Sequence, residues 1–151
     1  MAANNELPYV PLLYRLLFLY LEPLFAINGA LLCLFSPATF LRTFSATAIY
    51  ASSNQPIYDQ LAATYILFAF NEAIVLRTTK DLRVWRTIIL GILVCDVLHL
   101  YAAWRVLGVS FWDPRDWRVE EWTNFGLLYG PGVIRVMFLL GIGIKEKEKK
   151  R

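Results

Sequence analysis

Four long apolar stretches alternate with short polar ones along the chain, and that alternation predicts its architecture. They run from about Leu12 to Phe35, Leu61 to Arg77, Trp85 to Arg105 and Trp122 to Ile144. A helix rises 1.5 Å per residue, so about 20 apolar residues cross the hydrocarbon of a bilayer, and each stretch is a candidate span. Backbone N–H and C=O groups at that depth must pair within their own segment, which makes each run a helix. The expectation is an all-α fold, a transmembrane four-helix bundle, forming a single domain over residues 1–144 with a basic tail, 145–151.

The polar segments between the runs carry their own signals. Met1 to Tyr9 reads as an extended tail held open by Pro8 and Pro11. Ser36-Pro37 reads as an N-cap followed by proline at the first helical position, opening a short interfacial helix with Phe40, Leu41 and Phe44 on one side. Asp113-Pro114 signals a similar short helix in the other non-cytosolic loop, and Ala51 to Pro56 reads as an exposed loop. The connection Thr78 to Leu82 is so short that the second and third spans are expected to be antiparallel neighbours.

Arg77, Lys80, Arg83 and Arg86 crowd that connection, which places it in the cytosol by the positive-inside rule. Trp104, Trp112, Trp117 and Trp122 fall on the opposite side, as an aromatic belt does. Four spans return the N- and C-termini to the cytosol, in agreement with the basic tail Lys145 to Arg151. Its last five residues, Lys147 to Arg151, fit the K-x-K-x-x pattern of retrieval to the endoplasmic reticulum, with a plain positive-inside anchor as the other reading. The first run is too long for a cleavable signal peptide and lacks a basic n-region with a small-residue cleavage site.

Composition sharpens this picture. Of 151 residues, 58% are hydrophobic and the mean hydropathy is +0.48, too apolar for an ordinary soluble domain. The net charge of +3 is small and sits beside apolar runs, so nucleic acid is not an expected partner. Cys33 and Cys95 are isolated within apolar runs, and a single histidine excludes His-rich zinc or iron centres. No phosphate loop or nucleophile elbow occurs, and neither metal nor cofactor is implied. Membrane lipids and an apolar small molecule are the expected partners, with oligomeric state left open.

The candidate chemistry lies in ionisable residues where the pattern calls for oil. Asp96 and His99, at i and i+3, share one face of the third span. Each such group costs about 2.5 to 3.5 kcal/mol at mid-bilayer, so partners are expected, and Glu22, Glu72 beside Asn71, and Arg135 supply them. From the cytosolic face, helical rise puts Glu22, Asp96 and Arg135 about 13 to 16 Å deep, Glu72 about 7 Å, and Asn28, His99 and Tyr129 roughly 20 to 24 Å. Pro23 adds a backbone carbonyl robbed of its helical partner, and Ala26, Gly29, Ala30 and Cys33 make a small-sided contact face.

These residues are expected to converge on one polar pocket. Arg135 can pair with Asp96 or Glu22 to fix register, but one arginine does not neutralise three carboxylates. Surplus desolvated carboxylates should have raised pKa values and act as general acids, with His99 as the base and Asp96 orienting it. Asn28, Asn71, Asn124 and Tyr129 are read as interhelical hydrogen-bond partners or ligand contacts.

At Phe70-Asn71-Glu72-Ala73-Ile74-Val75-Leu76-Arg77, Asp81-Leu82-Arg83-Val84-Trp85-Arg86 and Asp96-Val97-Leu98-His99-Leu100-Tyr101 the chain resembles a family of small fungal integral membrane proteins known as a domain of unknown function. The similarity extends to Arg135-Val136-Met137-Phe138-Leu139-Leu140-Gly141. In architecture alone it is also similar to the EXPERA membrane proteins and the fungal transmembrane meroterpenoid cyclases. Both groups use intramembrane carboxylates to protonate lipophilic substrates, and no residue assignment is carried over from either. The resulting expectation is an acid/base isomerase or cyclase acting on a lipophilic metabolite such as a polyketide or terpenoid. Glu22, Glu72 and Asp96 are its candidate acids, His99 the base or orienting group, and Arg135 the charge-balancing group. The alternatives are a non-catalytic carrier of a sterol-like lipid, and a scaffold in which the polar residues pin register.

Overall fold

The computed structural model describes residues 10–144. The N-terminal tail and the basic tail with its K-x-K-x-x pattern lie outside the described residues. Within them the chain is all helical, without strands. We number the helices α1 (Leu12–Phe35), α2 (Pro37–Arg42), α3 (Ser52–Thr78), α4 (Leu82–Leu107) and α5 (Val119–Leu139).

Among the described residues three segments are long and apolar enough to cross a membrane: Leu12–Phe35, Ser52–Thr78 and Leu82–Trp112, the last being α4 with the turn that follows it. The expected fourth span is α5, which has the length, at 21 residues. It is less apolar because Asn124, Arg135 and the Gly130-Pro131-Gly132 cluster interrupt it. Leu24, Leu31 and Phe35 on α1, Leu67 and Phe70 on α3, and Val97 and Leu98 on α4 stand exposed, as lipid-facing side chains would.

The long helices pair as two antiparallel hairpins, α1 with α3 and α4 with α5. In the first hairpin, Ala30, Cys33 and Ala62 are buried, and a Cβ on Gly29 would lie 3.3 Å from the Tyr65 ring, so small residues set the close approach. The expectation that the second and third spans pack as neighbours is corrected here. The short connection joins the ends of α3 and α4, but their bodies stand apart on opposite walls of a cavity.

One apolar core at the basic end holds both hairpins together. Tyr14 and Phe18 of α1, Leu76 of α3, Trp85 and Ile89 of α4 and Phe138 of α5 are buried in it, with the Tyr14 and Phe18 rings edge-on to Phe138 at 5.2 and 5.3 Å. Toward the tryptophan end the core divides into Ala30, Cys33, Phe40 and Ala62 in one hairpin, and Ala103, Phe111 and Phe125 in the other. The molecule is thus a clamp whose shared core closes one end, with Arg118 bonded to Arg42 O bridging the other.

Several boundaries differ from the sequence expectation. Residues read as a loop before Leu61 form the first turns of α3, because Pro56 sits in the opening turn, where its missing N–H and preset φ favour helix. Ser36 starts α2 through its backbone carbonyl, which accepts from Phe40 N at 3.0 Å, and its side chain makes no capping bond. The second connector forms two 3₁₀ turns, Gly108–Trp112 and Pro114–Asp116, in place of an interfacial helix, with the Asp113 carboxylate accepting from Arg115 N at 3.0 Å.

Helix α5, the expected fourth span, stops at Leu139, not near Ile144. Gly141 takes φ +77°, and Ile142 N donates to Met137 O while Gly141 N donates to Phe138 O, the paired bonds of a Schellman ending. Tyr14 Oη then donates to Ile142 O at 2.8 Å and ties that end to α1.

Both helices of the first hairpin contain a π-helical turn, Leu17–Leu21 in α1 and Asn71–Val75 in α3, and these turns lie against each other. Proline explains the first. Pro23 has no N–H to give to Leu19 O, and Arg77 Nη2 donates to that carbonyl instead at 2.7 Å, its guanidinium lying 4.4 Å from the centre of the Tyr20 ring. The carbonyl freed by Pro23 is therefore satisfied from α3.

Candidate functional site: a buried acid cluster beneath an apolar cavity

Each of the four long helices contributes one ionisable side chain to a single cluster. Glu22 follows the π turn of α1, Glu72 lies inside that of α3, Asp96 is midway along α4, and Arg135 is one turn past Pro131 on α5. Arg135 Nη2 donates to Glu22 Oε2 at 2.8 Å, and Arg135 Nη1 donates to Asp96 Oδ2. Glu72 lies beside Glu22, with Arg135 and Asp96 as its other charged neighbours.

Burial is nearly complete. Relative exposure is 5% for Glu22, 2% for Glu72 and 6% for Arg135. Glu22 Oε1, Glu72 Oε1 and Arg135 Nε have no hydrogen-bond partner among the described residues. The cluster carries one guanidinium against three carboxyls, so electroneutrality in an apolar setting requires protons on acids that Arg135 does not balance.

The cluster forms the floor of a cavity of about 450 Å³. From that floor the lining climbs toward the tryptophan end, from Glu22 to Leu32 on α1, Glu72 to Leu61 on α3, and Arg135 to Val119 on α5. Phe25, Phe68, Leu127 and Leu128 make its walls apolar, while Asn28, Asn124, Tyr65 and Cys95 add polar edges. At its upper end Arg118 Nη2 donates to Arg42 O at 2.9 Å, joining the start of α5 to α2. Glu121 holds Arg118 in place, accepting from its Nε at 2.7 Å and its backbone N at 2.6 Å.

The structure thus gathers Glu22, Glu72, Asp96, Arg135, Asn28, Asn124 and His99 around one cavity. It does not form the expected Asp96–His99 pair. Asp96 is engaged by Arg135, whose charge-assisted hydrogen bond is stronger than one from an imidazole, and His99 lies a turn higher against the Phe44 ring at 5.0 Å. His99 Nε2 is buried and has no partner among the described residues.

Tyr129 and Asn71 do not line this cavity. Tyr129 faces a second, apolar groove of about 310 Å³ between α4 and α5, and is 41% exposed. Depth along a helix ignores rotation about it. Asn124, Leu128, Pro131 and Arg135 follow the helical period on α5, and Tyr129 lies about 100° off that stripe. Asn71 lies off the Glu72 face of α3 in the same way. The residues missed, Tyr65 and Thr64 above all, were legible as the stripe Leu61, Thr64, Tyr65, Phe68, Glu72. No metal-holding group of three or more His, Cys, Asp or Glu side chains occurs among the described residues.

Fold and site together define an all-α protein with helices fit to cross a membrane and a closed acid cluster at the base of an apolar cavity. The chain belongs to the family described as a domain of unknown function, DUF7704, whose model matches residues 7–145. No curated protein and no solved structure matches it.

Proposed function

We propose that this is a four-span membrane enzyme that protonates a lipophilic metabolite and so isomerises or cyclises it. In this reading α5 is the fourth span, both termini face the cytosol, and the protein resides in the endoplasmic reticulum. One observation carries the reading: Glu72, 2% exposed and with Oε1 unpartnered, lines an apolar cavity beside an arginine already bound to two other carboxylates.

Glu72 gives its proton to a carbon–carbon double bond, and the positive charge formed on the adjacent carbon is stabilised by the Glu22 and Asp96 carboxylates. His99 Nε2 removes a proton from a neighbouring carbon, which completes an isomerisation. In a cyclisation, a second double bond attacks the cation before that proton is lost. Arg135 holds Glu22 and Asp96 in place through its two bonds, and the apolar walls exclude water that would quench the cation.

The test needs no knowledge of the substrate. Purified protein is incubated in heavy water with a lipid extract of its native membranes, and deuterium entering the lipophilic fraction is read by mass spectrometry. The expected result is incorporation by the wild type that Glu72→Gln abolishes; equal incorporation by both, or by neither, refutes the proposal. A second reading, a non-catalytic lipid carrier, draws on the pairing of Glu22 and Asp96 with Arg135, which leaves only Glu72 without a charged partner of its own. It is favoured by a co-purifying lipid that leaves the protein unlabelled.

A further inference from the structure

On the floor of the cavity unpaired acceptors outnumber unpaired donors, Glu22 Oε1 and Glu72 Oε1 against Arg135 Nε. Arg135 is its only cation among the described residues, and two of its nitrogens are committed to Glu22 Oε2 and Asp96 Oδ2. Glu22 Oε1 and Glu72 Oε1 remain acceptors without donors, on side chains 5% and 2% exposed that both line the cavity. A buried acceptor left unpaired is costly, so a ligand supplying donors at that point gains more than one filling the walls alone.

Charge narrows the choice. A carboxylate or phosphate end would add an anion to a cluster whose carboxyls already outnumber its one guanidinium, and a like charge there is repelled. An alcohol supplies one donor and no charge. A protonated amine supplies two or three donors and the balancing charge together.

We infer that the cavity binds an amphipathic amine, its protonated nitrogen between Glu22 and Glu72 and its hydrocarbon against Phe25, Phe68 and Leu127. This rests on the cavity being the ligand site of the proposed function, and it names the class of compound that site selects. A cationic nitrogen would also sit where the protonated substrate builds its positive charge, so the same amines are expected to inhibit turnover.

The experiment uses the full chain in lipid nanodiscs with three probes of equal chain length: dodecylamine, dodecanol and dodecanoate. Bound probe is counted by native mass spectrometry. The expected order is dodecylamine about tenfold tighter than dodecanol, since charge-assisted hydrogen bonds are roughly twice as strong as neutral ones, with dodecanoate unbound. Leu127→Trp, which fills the cavity from a residue outside the buried cores, should abolish binding of both. Glu72→Gln should reduce dodecylamine to the level of dodecanol, and Glu22→Gln provides the same measurement if the first variant does not fold.

Amine preference surviving in the folded Gln variants, or dodecanoate matching the amine, overturns the inference. If amine and alcohol bind equally and Leu127→Trp removes both, the headgroup assignment fails while the cavity stands as a ligand site. If Leu127→Trp removes neither, or no probe binds, the ligand site falls and the inference with it.

Discussion

Replacing Arg135 with methionine tests the centre of the structure, because it keeps an unbranched apolar stem and removes the charged guanidinium. The two bonds of Arg135 reach carboxylates on two different helices, Glu22 on α1 and Asp96 on α4, so it ties α5 by charge both to its hairpin partner and to the other hairpin. Breaking one buried ion pair by removing a partner costs about 3 to 5 kcal/mol, because the other charge is left uncompensated. Here two carboxyls lose their partner, so about 5 kcal/mol is expected, near the lower end of the whole stability of a typical domain. At about 2 to 4 °C per kcal/mol for a chain of this size, the midpoint of thermal unfolding should fall by about 10 °C or more.

The informative variant is the triple substitution Arg135→Met, Glu22→Gln, Asp96→Asn, which removes the stranded charges along with the arginine. It should recover most of the loss, since replacing a buried ion pair with uncharged groups of similar volume is often close to neutral. Unfolding in detergent micelles, followed by tryptophan fluorescence, gives all the midpoints of the cycle. Arg135→Met within 2 °C of the wild type, or a triple variant no better than the single, would show that the cluster is not held as described.

The other predictions concern how the helices meet. Arg77→Met should cost about 1.5 to 3 kcal/mol in the wild type, the range for a hydrogen bond from a charged group, but little in a Pro23→Ala background, where residue 23 regains an N–H for Leu19 O. Additive effects in a double-mutant cycle would refute that link. Gly29→Ala places a Cβ 3.3 Å from the Tyr65 ring and should destabilise the first hairpin by about 1 kcal/mol or more, relieved by Tyr65→Leu in the same thermal assay. Gly141→Ala forces a left-handed φ of +77° on a side chain and should cost about 1 to 2 kcal/mol, whereas Gly126→Ala, in open space within α5, should stabilise by about 1 kcal/mol.

What the sequence could determine was set by the solvent and by local geometry. Apolar runs of spanning length make helices because unpaired backbone groups cannot be left in hydrocarbon, so the all-α fold and the places of α1 and α4 were readable from Leu12 to Phe35 and from Trp85 to Arg105. The shared depth of Glu22, Asp96 and Arg135 was readable too, because rise per residue is constant, and those three do meet. Rotation about the helix axis and the choice of neighbour were not. Two π turns shift the facing of Glu22 and Glu72, the Gly29–Tyr65 contact pairs α1 with α3, and a cavity separates α3 from α4 although only Thr79, Lys80 and Asp81 connect them in sequence. Depth depends on one strand of chain alone. Which acid takes the arginine, and which histidine nitrogen is left without a partner, depends on four helices packing at once, and only the tertiary structure decides it.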